Sequence, residues 1–269
     1  MLTLASPLTV CDVEILSARA GYEMMSENLE RPRPIGWRES PLFSFIEDCW
    51  GNSIAAVGTR GLLTQHLTEI DRVFENIFQQ GLKPLTTTEL IPCFLFIRSM
   101  TAFRASVMVS TCLHTDGYAP LRSCLETAGY ACLIATEPSY IKLWLTRDAS
   151  SENKKKVRAT FTHSAISKAM AAHDQQLSTI YSELYERTID WGAHPNEKSL
   201  SANFVKDTVH RDTQNIQFKL LPGGGASLDL VLKSVAQGGL CVLKIFSYLI
   251  PSAFDSDARK QLLDLSSGL

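Results

Sequence analysis

The stretch LIPCFLFIRSMTAFRASVMVSTCLH, residues 90–114, decides the fold class. It is helical in length and apolar on nearly every side. A helix of that kind is buried among other elements rather than laid on a surface with one apolar stripe. TDGYAP, residues 115–120, turns the chain, and LRSCLETAGYACLIAT, residues 121–136, makes a second buried helix that stops before Pro138. Two adjacent helices without a polar face need further helices to cover them, so the expected architecture is an all-α multi-helix bundle.

Working outward, SYIKLWLTRD predicts a short helix, and SSENKKKVRATFTHSAISKAMAAH starts with serines able to cap a longer one. DQQLSTIYSELYERTIDWGAH, residues 174–194, continues the helical spacing, with Leu177, Ile180, Leu184, Ile189 and Trp191 as its apolar stripe. After Pro195 the periodicity fades. NIQFKLLPGGG reads as the arm of at most one short β-hairpin, before a turn at residues 222–225. A helix over residues 227–249 and a short final one complete the C-terminal half. Toward the N-terminus, a helix is expected over residues 9–29. RPRPIGWRESP breaks it, and a helical region follows over residues 42–80, where Gly51, Gly58 and Gly61 can kink or split it. In GLKPLTTTEL, Thr86, Thr87 or Thr88 can cap the next start. The expected organisation is an extra N-terminal helical layer, residues 1–85, on a bundle formed by residues 86–269, together one compact domain.

The chain has 269 residues, 45% of them hydrophobic, and a formal net charge of -2. That balance supplies no global basic field for nucleic acid or anionic membrane, so any such contact must come from a local patch. The seven cysteines form no CxxC pair and sit in apolar stretches such as VSTCLH and GLCVLKIF. This is cysteine used as a small hydrophobe in a reducing compartment. MLTLASPLTVCDVEIL lacks the basic start of a secretory signal. Residues 228–250 are strongly apolar but carry Asp229, Lys233 and Lys244, whereas a span needs about 20 nearly uncharged residues. The expectation is a cytoplasmic protein without a membrane segment.

The chemistry-bearing candidates lie in ELYERTIDWGAHPNEKSL, residues 183–200. Arg187 and His194 are almost two helical turns apart on one face, about 10 Å along the axis if the helix runs through. Such a pair can flank a phosphate. Histidine moves a proton from a ribose 2′-hydroxyl or to a leaving 5′-oxygen, and arginine offers a donor fork to the growing charge. No metal enters that scheme. The alternative is structural: Gly192 stops the helix, Pro195 prevents its continuation, His194 complements the dipole, and Arg187 pairs with Glu183 or Asp190. Arg122 and Glu126, four apart in LRSCLE, are either an ion pair between helices or the lining of a polar cavity facing Arg187 and His194. The run ENKKKVR, with Lys154, Lys155 and Lys156, is either a solvated helix face or a guide for an acidic partner or RNA backbone. His163 and His173, ten apart, make no chelating step, and Asp190 with His194 lacks a supporting HExxH or ExxH pattern, so no metal is expected. No cofactor is expected either. PGGGAS has no phosphate-loop lysine, and no serine, histidine and acid set is evident.

The helix carrying LRSCLE, the helices leading to LY, and the HPN element together resemble the HEPN superfamily of bacterial helical proteins, in particular a branch with an arginine-to-glutamate helix and a histidine-proline element. The resemblance covers roughly residues 88–200. It implies a HEPN-like bundle. The superfamily hallmark, an arginine followed by four to six residues and a histidine, falls on Arg187 and His194. It further implies a metal-independent ribonuclease that dimerises to form one cleft, in a toxin or antiphage-defence system with a protein partner. Asn196, behind His194, joins Arg122, Glu126 and the lysines as a candidate binding residue. Thr188 stands where active members often carry asparagine, aspartate or histidine. The rival reading is a non-catalytic helical scaffold or ligand-sensing regulatory protein that uses the same groove for a partner.

Overall fold

In the computed structural model, which describes residues 35–82, 89–195, 197–206, 216–221 and 223–267, the apolar stretch is one helix, α3 (Leu90–Ser110). Before it come α1 (Pro41–Thr59) and α2 (Gly61–Asn76), the latter extended by a π-helical turn, Ile77–Gly81. After it come α4 (Tyr118–Thr136), α5 (Ser139–Leu145), α6 (Ser151–Thr160), α7 (His163–Ala171) and α8 (Gln175–Thr188). A π-helical turn, Ile189–Ala193, leads to α9 (Glu197–Ser201), and α10 (Ala226–Leu249) and α11 (Ser256–Ser266) end the fold. The fold is all-α. Its only strands among the described residues are β1 (Phe204–Lys206) and β2 (Ile216–Phe218), an antiparallel pair with Phe204 opposite Phe218. The strand expected in NIQFKLL therefore pairs with a partner upstream of it, not across the glycine turn that follows.

Helix ends follow local chemistry. Ser150 accepts from the Asn153 N–H, Thr162 from Ala165, Asp174 from Leu177 and Asp255 from Ala258, each satisfying a donor that the first turn leaves unpaired. The Thr162 cap splits what sequence spacing joined into one helix over residues 150–173. Gly51 and Gly58 stay inside α1, and the break falls at Arg60.

The chain divides into two units, residues 1–48 and 49–269, with α1 running across the boundary. In the first unit, the Trp37 and Phe43 rings stack with centroids 4.4 Å apart. In the second, α3, α4 and α10 form the centre, with α2, α8 and α11 packed on α10 and α7 packed on α4. The division expected near residue 85 is not where the structure places it. Leu67, Ile70, Val73 and Phe74 bury one face of α2 in the same core as α3 and α10, which makes residues 61–76 part of the larger unit. The helix expected over residues 9–29 and the caps at residues 86–88 lie outside the described residues.

Aromatic rings anchor the centre. Phe74 meets Phe96 and Phe103, with centroids 5.6 and 5.3 Å apart, and Phe96 meets Phe246 edge-on at 5.3 Å. Helix α10 comes close because Gly239 has no side chain: a Cβ there would lie 2.6 Å from Phe103 and 2.9 Å from Ile70. Helices α3 and α10 are long and apolar enough to cross a membrane by length and composition alone, but 72% of the α10 window and 50% of the α3 window are buried inside the bundle. Helix packing covers most of α10, whereas α3 also exposes Phe94 and Met108. The buried thiols of Cys93 and Cys241 are pushed up to about 12 and that of Cys132 to about 11, each mainly by burial, so these groups behave as hydrophobes.

Candidate functional site

Helix α8 ends differently from a simple stop. Its last residue, Thr188, is buried and returns its hydroxyl to the Tyr185 carbonyl. The chain then widens into the π-helical turn Ile189–Ala193, where Gly192 leaves helical geometry, and His194 is extended. The turn lies against the 3-10 turn Thr115–Gly117 that precedes α4. A Cβ on Gly192 would sit 2.0 Å from the Thr115 carbonyl oxygen, so only glycine allows that approach. Gly192 is thus a contact residue, not merely a helix stop.

This approach brings His194 to α4. The Arg122 guanidinium bonds to His194 Nε2 through Nη1, to Glu126 Oε1 through Nε at 2.8 Å, and to the Tyr185 hydroxyl through Nη2 at 2.9 Å. Arginine has no acceptor, so His194 Nε2 takes the bond and its ring proton resides on Nδ1. The Tyr185 hydroxyl donates in turn to Glu126 at 3.3 Å, and the guanidinium carbon lies 5.1 Å from the Tyr185 ring centroid. Burial, then the Glu126 charge, raises the Tyr185 phenol above its usual range, while Arg122 opposes the shift. Burial works against the Arg122 charge, but the bond to Glu126 and its charge outweigh it, and the guanidinium is raised. Behind Tyr185 lies His163, stacked on it with centroids 4.3 Å apart and on Tyr181 at 5.8 Å. Its buried Nε2 has no hydrogen-bond partner. The cluster opens to solvent at His194, which is exposed.

The structure therefore brings Arg122, Glu126 and His194 together and seats Arg187 elsewhere. Arg187 turns from α8 onto α10, where Nη1 donates to Gln237 Oε1 at 2.7 Å and Ser234 Oγ at 3.3 Å. The shared helix face expected for Arg187 and His194 does not exist, because the helix loses its regular phase after Thr188. The expected carboxylate partners of Arg187 are also corrected: Asp190 pairs with Lys198 at 2.7 Å, and Glu183 lines a cavity beside Arg187 without bonding to it. In the basic run, Lys154 pairs with Asp148 at 3.2 Å and Lys156 with Glu152 at 2.8 Å, which leaves Lys155 as its free ammonium among the described residues. Asn196 lies outside the described residues. Among the described residues, no three histidine, cysteine or acidic side chains converge as a metal would require.

Tyr185 and His163 are the members that sequence reasoning missed. Tyr185 stood in the sequence only as the tyrosine of LY, without a role, and His163 only as half of a histidine pair with no chelating step. Their meeting with Arg122 depends on how α4, α7 and α8 pack. Comparison of the chain with protein-family models, with curated proteins and with solved structures finds no match.

Proposed function

We propose that the protein is a metal-independent ribonuclease whose site is Arg122 and His194, supported by Tyr185 and Glu126. The observation that carries this reading is the exposed imidazole whose Nε2 accepts from Arg122. In the resting site the base lone pair is occupied by that bond. A phosphodiester competes for the same guanidinium: after its three protein bonds, Arg122 still has one N–H free on each terminal nitrogen. As the phosphate draws the guanidinium, His194 Nε2 is released to take the ribose 2′-hydroxyl proton. The 2′-oxygen bonds to phosphorus, the P–O5′ bond breaks, and the imidazolium returns the proton to the 5′-oxygen. The products are a 2′,3′-cyclic phosphate and a 5′-hydroxyl. Arg122 holds the equatorial oxygens as their charge grows. Lys155, free on α6, is the basic-run side chain most available to guide the backbone. The HEPN resemblance supports the same reaction class with a different arginine. It also supports the wider setting: a cytoplasmic homodimer in a toxin or antiphage-defence system with a protein partner.

The test is incubation of mixed RNA with the protein in excess EDTA, with product ends analysed. Wild-type protein should yield cyclic phosphate ends, and His194→Ala and Arg122→Ala should lose cleavage. Arg187→Ala discriminates the two arginines: loss of cleavage there, with Arg122→Ala still active, returns the catalytic role to Arg187. A second reading, a non-catalytic scaffold, is favoured by one observation. Arg122 ties α4, α8 and the residues after α8 together through three protein partners. On that reading Arg122→Ala lowers the melting temperature and no variant or wild type cuts RNA.

A further inference from the structure

Between α8, α10 and α11 lies a cavity of about 190 Å³, away from the Arg122 cluster. Its apolar lining is Leu177, Ile180, Leu184 and Leu240. Its polar lining includes Arg187, Lys244 and Glu183. Arg187 is half-buried, and its bonds go to two neutral oxygens, those of Ser234 and Gln237. Among the described residues it has no carboxylate partner, and the Lys244 ammonium has no partner either. A half-buried guanidinium whose protein bonds go only to neutral acceptors keeps its charge available to an anion. Glu183 is exposed and within ion-pair reach of neither cation. Two cations against one carboxylate leave the cavity one positive charge in excess, beside an apolar floor.

From this geometry we infer a binding site for a small amphipathic monoanion, a carboxylic acid with a short apolar body, whose carboxylate sits on Arg187 and Lys244 and whose hydrocarbon lies on Leu177, Leu184 and Leu240. The volume falls below the roughly 300–1,000 Å³ of sites for drug-sized ligands, so the ligand is of the size of hexanoate or benzoate. Arginine presents its remaining Nε–H and Nη2–H as a fork that suits a planar carboxylate. This site stands independently of the ribonuclease reading built on Arg122 and His194 and uses none of Arg122, Glu126, Tyr185 or His194.

The test is calorimetric titration and thermal melting of the full chain with hexanoate and benzoate, beside acetate and hexanol as the charged and the apolar halves alone. Hexanoate or benzoate should bind with a Kd below about 1 mM, raise the melting temperature, and bind more tightly than either half. Lys244→Gln should weaken binding about tenfold, and Arg187→Gln should abolish it. Among the described residues the Lys244 side chain makes no hydrogen bond or ion pair, so its variant tests the site with little disturbance of the fold. The inference is overturned if neither acid binds, if hexanol binds as tightly as hexanoate, or if Lys244→Gln binds as the wild type does.

Discussion

Replacing Gly192 by alanine should disrupt the candidate site from beneath. The Gly192 φ of 170° lies outside the left-handed region that favours glycine, so the added methyl is not penalised on that count. Its cost is contact: the new Cβ would lie 2.0 Å from the Thr115 carbonyl oxygen and 2.9 Å from its carbon. An ordinary C···O approach is about 3.3 Å, so the turn must retreat by about 1.3 Å. Both sides are backbone, and no rotamer change relieves the clash. Overpacking of this kind costs about 1–3 kcal/mol. The smaller conformational freedom of alanine in the unfolded chain offsets about 0.4–1 kcal/mol, leaving a net loss of about 1–2 kcal/mol. The same retreat carries His194, two residues on, away from Arg122. Urea unfolding followed by circular dichroism gives the stability change, and the metal-free cleavage assay gives the functional one. Gly51→Ala is the control: nothing lies within 4 Å of a Cβ there, and alanine inside a helix should add about 0.5–1 kcal/mol. If Gly192→Ala matches the wild type in stability, the packing of the Ile189–Ala193 turn on residues 115–117 is wrong, and with it the route by which His194 reaches Arg122.

Two other outcomes follow from groups outside the site. The buried thiols of Cys93, Cys132 and Cys241 are raised in the folded chain, so the unfolded chain ionises first. Stability is then complete below the unfolded thiol pKa of about 8.5 and falls as pH rises toward the folded values, by up to about 1.4 kcal/mol per pH unit for each thiol. Denaturant midpoints measured from pH 8 to 11 should decline, and substitution of Cys241 by alanine or serine should flatten the slope even where it lowers the midpoint. Arg104 on α3 bonds to Asp71 at 2.7 and 3.1 Å and to Glu75 at 2.6 Å on α2. Its side chain is 42% exposed, so solvent screening keeps Arg104→Ala to about 1 kcal/mol. The loss should shrink in high salt; a loss unchanged by salt would assign Arg104 to packing through its hydrocarbon stem.

The helices of this protein are written locally, and that is why they were legible. The apolar residues of α3 bury one side of it, with Leu95, Phe96, Met100 and Phe103 in the core and Arg98, Thr101 and Arg104 on the exposed side, and the serine and threonine before α6 and α7 cap them where spacing and chemistry require. The pairing of Arg122 with Glu126 was legible for the same reason, since four residues on a helix share a face. His194 with Arg122 was not, because the two are 72 positions apart. Helical periodicity places a residue on its own helix and carries no information about which other helix that face will meet. It also presumes a constant pitch, and the π-helical turn after Thr188 breaks that presumption just where Arg187 was to be aligned with His194. By itself the sequence determined the all-α class, the buried helices at the centre and the pairing of Arg122 with Glu126. Tertiary packing alone decided which arginine faces the histidine. That choice depends on a methyl-free contact between Gly192 and Thr115 and on the crossing of α8 with α4 and α10, and such contacts depend on the whole bundle rather than on any stretch of the chain.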